Sequence, residues 1–177
     1  MGYYCFGAEK IRLVVVLALL FSWIGDILLI PDGNKWFTAG GISFMISHFF
    51  FVLSYLKDVD FKVISPVIVI VLAAFFMITV NIIFRMLKDS LPKGLFYPMY
   101  LYLLINGTMN CFAIFRCLTS PDLAGIVTVI GAVLFFVSDT TLFFVRFKKN
   151  GSIKTHFIVM LTYSIGELLI VLGLMMK

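Results

Sequence analysis

Long apolar runs alternate with short polar breaks along the chain, and within each run the apolar residues are continuous. Six such windows cover 11–30, 37–56, 63–85, 95–116, 123–145 and 155–176. Each is close to the roughly 20 residues that a helix needs to cross a hydrocarbon core. A barrel strand would need about ten residues and would alternate apolar with polar ones, so the pattern predicts helices. The breaks carry turn chemistry: Pro31-Asp32-Gly33-Asn34, then Lys88 through Gly94, Ser120-Pro121-Asp122, and Lys148 through Ser152. Connections this short predict antiparallel sequential neighbours. The expected fold is all-α: a polytopic membrane helix bundle of about six transmembrane helices in one integral-membrane domain over 1–177.

Composition sharpens this. The 177 residues are 62% hydrophobic and 13% charged, with a mean hydropathy of +1.11, too apolar to clothe a soluble domain. The apolar run after Lys10 and Arg12 lacks a small-residue cleavage site and reads as a retained helix, not a signal peptide. The excess of 14 Lys+Arg over 9 Asp+Glu lies between the apolar runs. It therefore speaks of helix orientation and excludes nucleic acid as a partner. Lys10, Arg12, Lys57, Lys62, Arg116 and Lys177 share one face; Lys35, Arg85, Lys88, Lys93, Arg146, Lys148, Lys149 and Lys154 share the other, which the larger count makes cytoplasmic. Cys5, Cys111 and Cys117 form no CxxC pair or even framework and read as membrane-embedded thiols. With only His48 and His156, no His-rich metal set can be assembled, and no metal or cofactor is expected.

Four ionisable residues fall inside the apolar runs: Asp26, His48, Asp139 and Glu167. Charging such a group at the bilayer centre costs about 2.5–3.5 kcal/mol on insertion scales, so each should face the bundle interior. At about 1.5 Å per residue from the face carrying Lys35 and Arg146, Asp26 lies about 6 Å deep, Asp139 about 10, His48 about 16 and Glu167 about 18. One site can therefore contain all four. Ser22 precedes Asp26 by four residues and Tyr163 precedes Glu167 by four, so each hydroxyl is expected to bond its own helix's carboxyl. Asn106 and Asn110 are also four apart, with Tyr100 and Tyr102 nearer the preceding loop; Tyr100 and Asn106 are assigned to the polar lining. Ser22, Ser47 and Ser138 would be nucleophiles only if His48 reached one of them, and no Gly-x-Ser-x-Gly elbow is present. Ile24-Gly25-Asp26 and Val137-Ser138-Asp139 form a faint internal echo.

The constellation fits two kinds of work. A neutral carboxylic acid beside an ionised one can perform acid catalysis, and the same acid–His–acid series can pass protons in a proton-coupled carrier or channel. Asp139, flanked by Phe135, Phe136, Leu142 and Phe143, is the candidate acid, and Asp26, nearer the interface, the candidate carboxylate.

Phe21 through Leu29, Gly41 through His48, Phe136 through Leu142 ending at Arg146-Phe147, and Thr162 through Ile170 together resemble the YhhN family of lysoplasmalogenase-like membrane proteins. The resemblance implies a hydrolase that cleaves the vinyl ether bond of lysoplasmalogen to a fatty aldehyde and glycerophospho-ethanolamine or -choline. It implies a lysophospholipid substrate drawn from the lipid bilayer, a bacterial cell membrane in preference to the endoplasmic reticulum as location, and Asp26, Asp139 and His48 as catalytic residues. Ser22, Ser47, Ser138, Tyr100, Asn106, Tyr163 and Glu167 would support them. It also implies N-terminal helices beyond those drawn here, and an amide where this chain has Glu167. Lys148, Lys149 and Lys154 are candidates to attract the substrate phosphate.

Overall fold

The computed structural model describes residues 2–7, 11–148 and 153–176; Lys10, Lys149 and Lys177, counted above for orientation, lie outside the described residues. Those residues form an all-helical bundle without strands. A six-residue α1 (Gly2–Gly7) precedes α2 (Leu13–Leu29), α3 (Asn34–Leu56), α4 (Pro66–Leu87), α5 (Phe96–Thr119), α6 (Leu123–Lys148) and α7 (Ile153–Met175). The apolar windows predict α2 to α7; α1 was not anticipated. It leans on the end of α7, and its Tyr4 hydroxyl accepts the Arg12 N–H at 3.1 Å. Five of the helices are long and apolar enough to cross a membrane, and α2, with 17 residues, is a shorter apolar helix.

The boundaries follow local chemistry. Gly33, at φ +123°, takes a backbone conformation that L side chains rarely adopt and turns the chain into α3. Ser65 accepts the Val67 N–H ahead of α4, with Pro66 in the first turn. Asp122 accepts the Gly125 N–H at 2.7 Å and starts α6.

Packing runs in an arc, α2–α3–α5–α6–α7, with α4 laid outside against α5 and α6. The expectation of sequential neighbours therefore fails at one step: α3 packs on α5, not on α4. The connection 57–65 is long enough to carry the chain past α5. Apolar α4 is left facing the lipid along most of its length, with Ile70, Val71, Ile78 and Ile82 all exposed.

Small residues close the two tightest seams, as they do wherever lipid offers no hydrophobic drive for helix association. A Cβ at Gly131 would sit 2.7 Å from the Gly166 carbonyl, and one at Gly173 2.6 Å from that of Ala124, so α6 and α7 touch through backbone. Between α2 and α3, Gly25 lies under the Phe44 ring, Ser43 donates to the Phe21 carbonyl at 2.6 Å, and Ser22 and Ser47 share a hydrogen bond at 2.8 Å.

One end of the bundle is locked by charge. Arg116 is fully buried and donates to Asp58 Oδ2 at 3.1 Å, to Thr128 at 2.7 Å and to the carbonyls of Gly173 and Ala124 at 3.0 and 3.4 Å. Arg12 adds a second bond to the same Asp58 oxygen at 2.9 Å. Arg116 is thus no loop cation marking orientation, as its position near a helix end had suggested, but a tie between α5, α6, α7 and the end of α3. Burial pushes the Asp58 carboxyl up, but the hydrogen bonds and charges of Arg12 and Arg116 outweigh it and hold it below its ordinary 3.8.

Replacing Arg116 by Ala leaves Asp58 short of a partner and empties a buried site, so stability should fall by about 3–5 kcal/mol, read as thermal unfolding in detergent. Because the Asp58 value is lowered on folding, its contribution is complete above its unfolded value near 3.8 and is lost as pH falls through the lower folded value. Acid titration of stability should show a decline below about pH 4 that Asp58→Asn lacks.

Candidate active site

The arc of helices does not close. α2 and α7, its two ends, share no packed seam, and a cavity of about 580 Å³ lies between them, backed by α3, α5 and α6. Ile30, which caps the end of α2, and Met160 of α7 line it while remaining 79% and 69% exposed, so the mouth opens sideways between these helices. In a bilayer that opening faces lipid. The wall is mostly apolar, with Leu29, Phe37, Phe44, Leu142, Phe143 and Val159, and two carboxyls look into it, Asp26 and Asp139. A second, small apolar cavity of about 30 Å³ shares Phe37, Gly41, Tyr102 and Phe143 with it and is lined further by Met45 and Met99.

Asp139 is buried and held by α5. Tyr102 donates to its Oδ2 at 2.5 Å and Asn106 to the same oxygen at 2.7 Å, while Asn110 donates to Asn106 Oδ1 at 3.2 Å. Tyr102, Asn106 and Asn110 are spaced by four, so one face of α5 presents a polar ladder to α6. His48 brings Nε2 to 3.7 Å from Asp139 Oδ2, outside hydrogen-bond distance, and its ring is wedged edge-on against Tyr102 and Phe135, with centroids 5.5 and 5.0 Å away. It stands behind Asp139 and does not line the cavity.

Asp26 is less buried and accepts one bond at 3.0 Å from Tyr163 of α7, which bridges the mouth. Of the two expected same-helix pairings, Tyr163 with Glu167 is made and Ser22 with Asp26 is not. Ser22 bonds Ser47 and, across to α7, Glu167, while Tyr163 bonds Asp26 across the mouth as well as Glu167 on its own helix. Glu167 is largely buried behind this pair, and its Oε1 has no partner.

The other sequence-predicted residues divide. Asn106 and Tyr163 are in the site. Ser22 and Ser47 hold α2 to α3; Ser138 lines the cavity but spends its hydroxyl on the Val159 carbonyl at 2.8 Å. Tyr100 is not in the site: its hydroxyl points to α4, at 3.5 Å from Asn81 Oδ1. Two positions on, Tyr102 occupies the place assigned to Tyr100. Its four-residue spacing from Asn106, the same rule that links Asn106 to Asn110, was the signal that distinguishes it. Gly41, which opens the second motif stretch, also lines the cavity, and a Cβ there would meet nothing within 4 Å.

The sequence model of the YhhN family matches residues 3–174. The chain belongs to the YhhN family. No curated protein and no solved structure matches it significantly. Within this YhhN chain the stretches that carried the resemblance have separate duties: Ser22, Gly25, Ser43 and Ser47 pack α2 on α3, whereas Asp26 and Asp139 face the cavity.

Neighbouring glycines separate packing from cavity. A Cβ at Gly40 would press to 3.2 Å from the Gly25 carbonyl, so Gly40→Leu should unfold the bundle. Gly41→Leu should hold or raise the melting temperature, gaining up to about 1 kcal/mol of helix propensity, while abolishing retention of a single-chain amphiphile in native mass spectrometry.

Proposed function

We propose that this YhhN protein hydrolyses the vinyl ether bond of a lysoplasmalogen, with Asp139 as general acid and Asp26 as the carboxylate that stabilises the cation and activates water. The observation that carries the reading is the pair of carboxyls facing one lipid-side cavity with unequal surroundings. Tyr102 and Asn106 both donate to Asp139 Oδ2, which suits the carbonyl oxygen of a neutral acid and leaves Oδ1 to carry a proton.

The chemistry balances over these groups. The Asp139 proton is delivered to the enol carbon, giving an oxocarbenium ion whose charge the Asp26 carboxylate offsets. Water adds to the cationic carbon and its proton passes to Asp26. The hemiacetal then collapses: its hydroxyl proton returns to Asp139, the carbon–oxygen bond to glycerol breaks, and the departing oxygen takes the proton from Asp26. An aldehyde and a glycerophospho-alcohol result, as in two-carboxylate glycosidases where an acid and a carboxylate flank an oxocarbenium ion. His48, behind Asp139, acts as a positioning residue, and Tyr163 orients Asp26.

A proton-coupled carrier would need a polar path to both faces. Phe51 and Leu103, fully buried and apolar beyond the site, fill that direction, which favours the enzyme.

Purified protein given lysoplasmenylethanolamine should release fatty aldehyde. Asp139→Asn and Asp26→Asn should each lower kcat by about 10²–10⁴-fold without loss of thermal stability. Tyr102→Phe should lower it about tenfold, and Tyr100→Phe should leave it unchanged. A wild-type protein that releases no aldehyde, yet drives pH-dependent uptake in proteoliposomes, would overturn the assignment.

A further inference from the structure

Arg146 is the next polar group above Asp139 on the cavity side of α6. It follows Asp139 by seven residues, which places it about 10 Å further along the helix and within about 20° of the same stripe. Leu142 and Phe143, between them, line the cavity. The half-buried guanidinium lies 5.5 Å from the centroid of Phe37, itself a cavity residue packed edge-on to Phe143 at 5.9 Å. Among the described residues the pairing of arginine with a carboxylate is confined to Asp58, which meets Arg12 and Arg116. Arg146, one turn beyond the cavity-lining Leu142 and Phe143, therefore holds a cation over the ring of Phe37 with no carboxylate of the described residues paired to it. Lys148, by contrast, sits over Phe144, which does not line the cavity.

A guanidinium held over an aromatic ring, its N–H donors unused among the described residues, is suited to bidentate recognition of a phosphodiester. From the protonated enol carbon of an alkenyl glycerophospholipid to its phosphorus is about seven bonds, roughly 8 Å extended, comparable to the rise from Asp139 to Arg146. We propose that Arg146 binds the headgroup phosphodiester of a single-chain glycerophospholipid and so sets the register that places the ether-linked carbon at Asp139. The inference rests on the reading of the site as a lysolipid hydrolase.

The alternative duty of a cation in the last turn is to complement the helix dipole, which lysine performs as well as arginine and which gives no preference among ligands. Binding and turnover separate these roles. Binding of three probes is measured on purified protein: an uncleavable alkyl-ether lysophosphoethanolamine, an alkylglycerol of the same chain length, and inorganic phosphate. Turnover is followed on lysoplasmenylethanolamine and on the phosphate-free alkenylglycerol.

In Arg146→Gln, affinity for the lysophospholipid and kcat/KM for the phosphorylated substrate should fall roughly ten- to a hundredfold, with the phosphate-free pair unchanged; Arg146→Lys should recover part of the loss. Arg85→Gln removes the same charge from exposed α4 and should change neither. Equal losses for the phosphate-bearing and phosphate-free ligands, or an equal effect of Arg85→Gln, would overturn the proposal. Arg146-dependent binding of inorganic phosphate alone would overturn the lipid assignment in favour of a free anion. If the wild type cleaves nothing but Arg146→Gln loses its preference for the phosphorylated probe, the hydrolase reading fails and the headgroup site stands. If cleavage is intact and the preference unaltered, the reverse holds.

Discussion

Everything in the bundle answers to the absence of water around it, and the Arg116 guanidinium shows the constraint in its sharpest form. A charge taken out of water is tolerated only when its donors are used and an opposite charge is at hand. Arg116 meets both terms by gathering Asp58, Thr128 and two helix carbonyls around itself. The cost of leaving any of these unmet draws α5, α6 and α7 together with the end of α3. Glycine and serine seams then bring α6 to α7 and α2 to α3 at backbone distance. With that end fixed and the seams closed, the remaining freedom lies where α2 and α7 fail to pack, and the cavity is there.

The same rule gives the two aspartates different surroundings. Asp139, deep in the bundle, takes two donors from a face of α5 that no lipid touches, and aromatic rings enclose it. Asp26, near the mouth, has one donor from the helix opposite. Identical side chains thus acquire distinct capacities from depth and from the number of N–H and O–H groups aimed at them.

Much of this could be read from the order of residues. Continuous apolar runs disclosed α2 to α7, since the solvent for a membrane helix is uniform and leaves a strong pattern. The rarity of ionisable groups within the runs pointed to Asp26, His48, Asp139 and Glu167, which the fold does gather. Less legible was anything decided by direction or reach. Tyr100 and Tyr102 differ by two residues and about 200° around the helix, which composition cannot show. The pairing of Tyr163 with Asp26 joins residues from opposite ends of the chain. Arg116, close to a helix end, resembles the loop cations that orient membrane proteins, and only the approach of Asp58 from another connection gives it a different meaning. The packing of α3 on α5 instead of α4 is a further tertiary choice that short loops did not reveal.

Helix α2, with its 17 residues, reaches only about 25 Å, less than the roughly 30 Å of a typical hydrocarbon core. Its neighbours are longer, so the mismatch is local and falls on one wall of the mouth. A bilayer meets a short span by thinning toward it, bringing the polar headgroup layer inward along α2 toward the level of Asp26. The thickness of the surrounding membrane thereby becomes a variable of the site: a thicker bilayer must deform more to meet α2, at a cost of a fraction of a kcal/mol per Å.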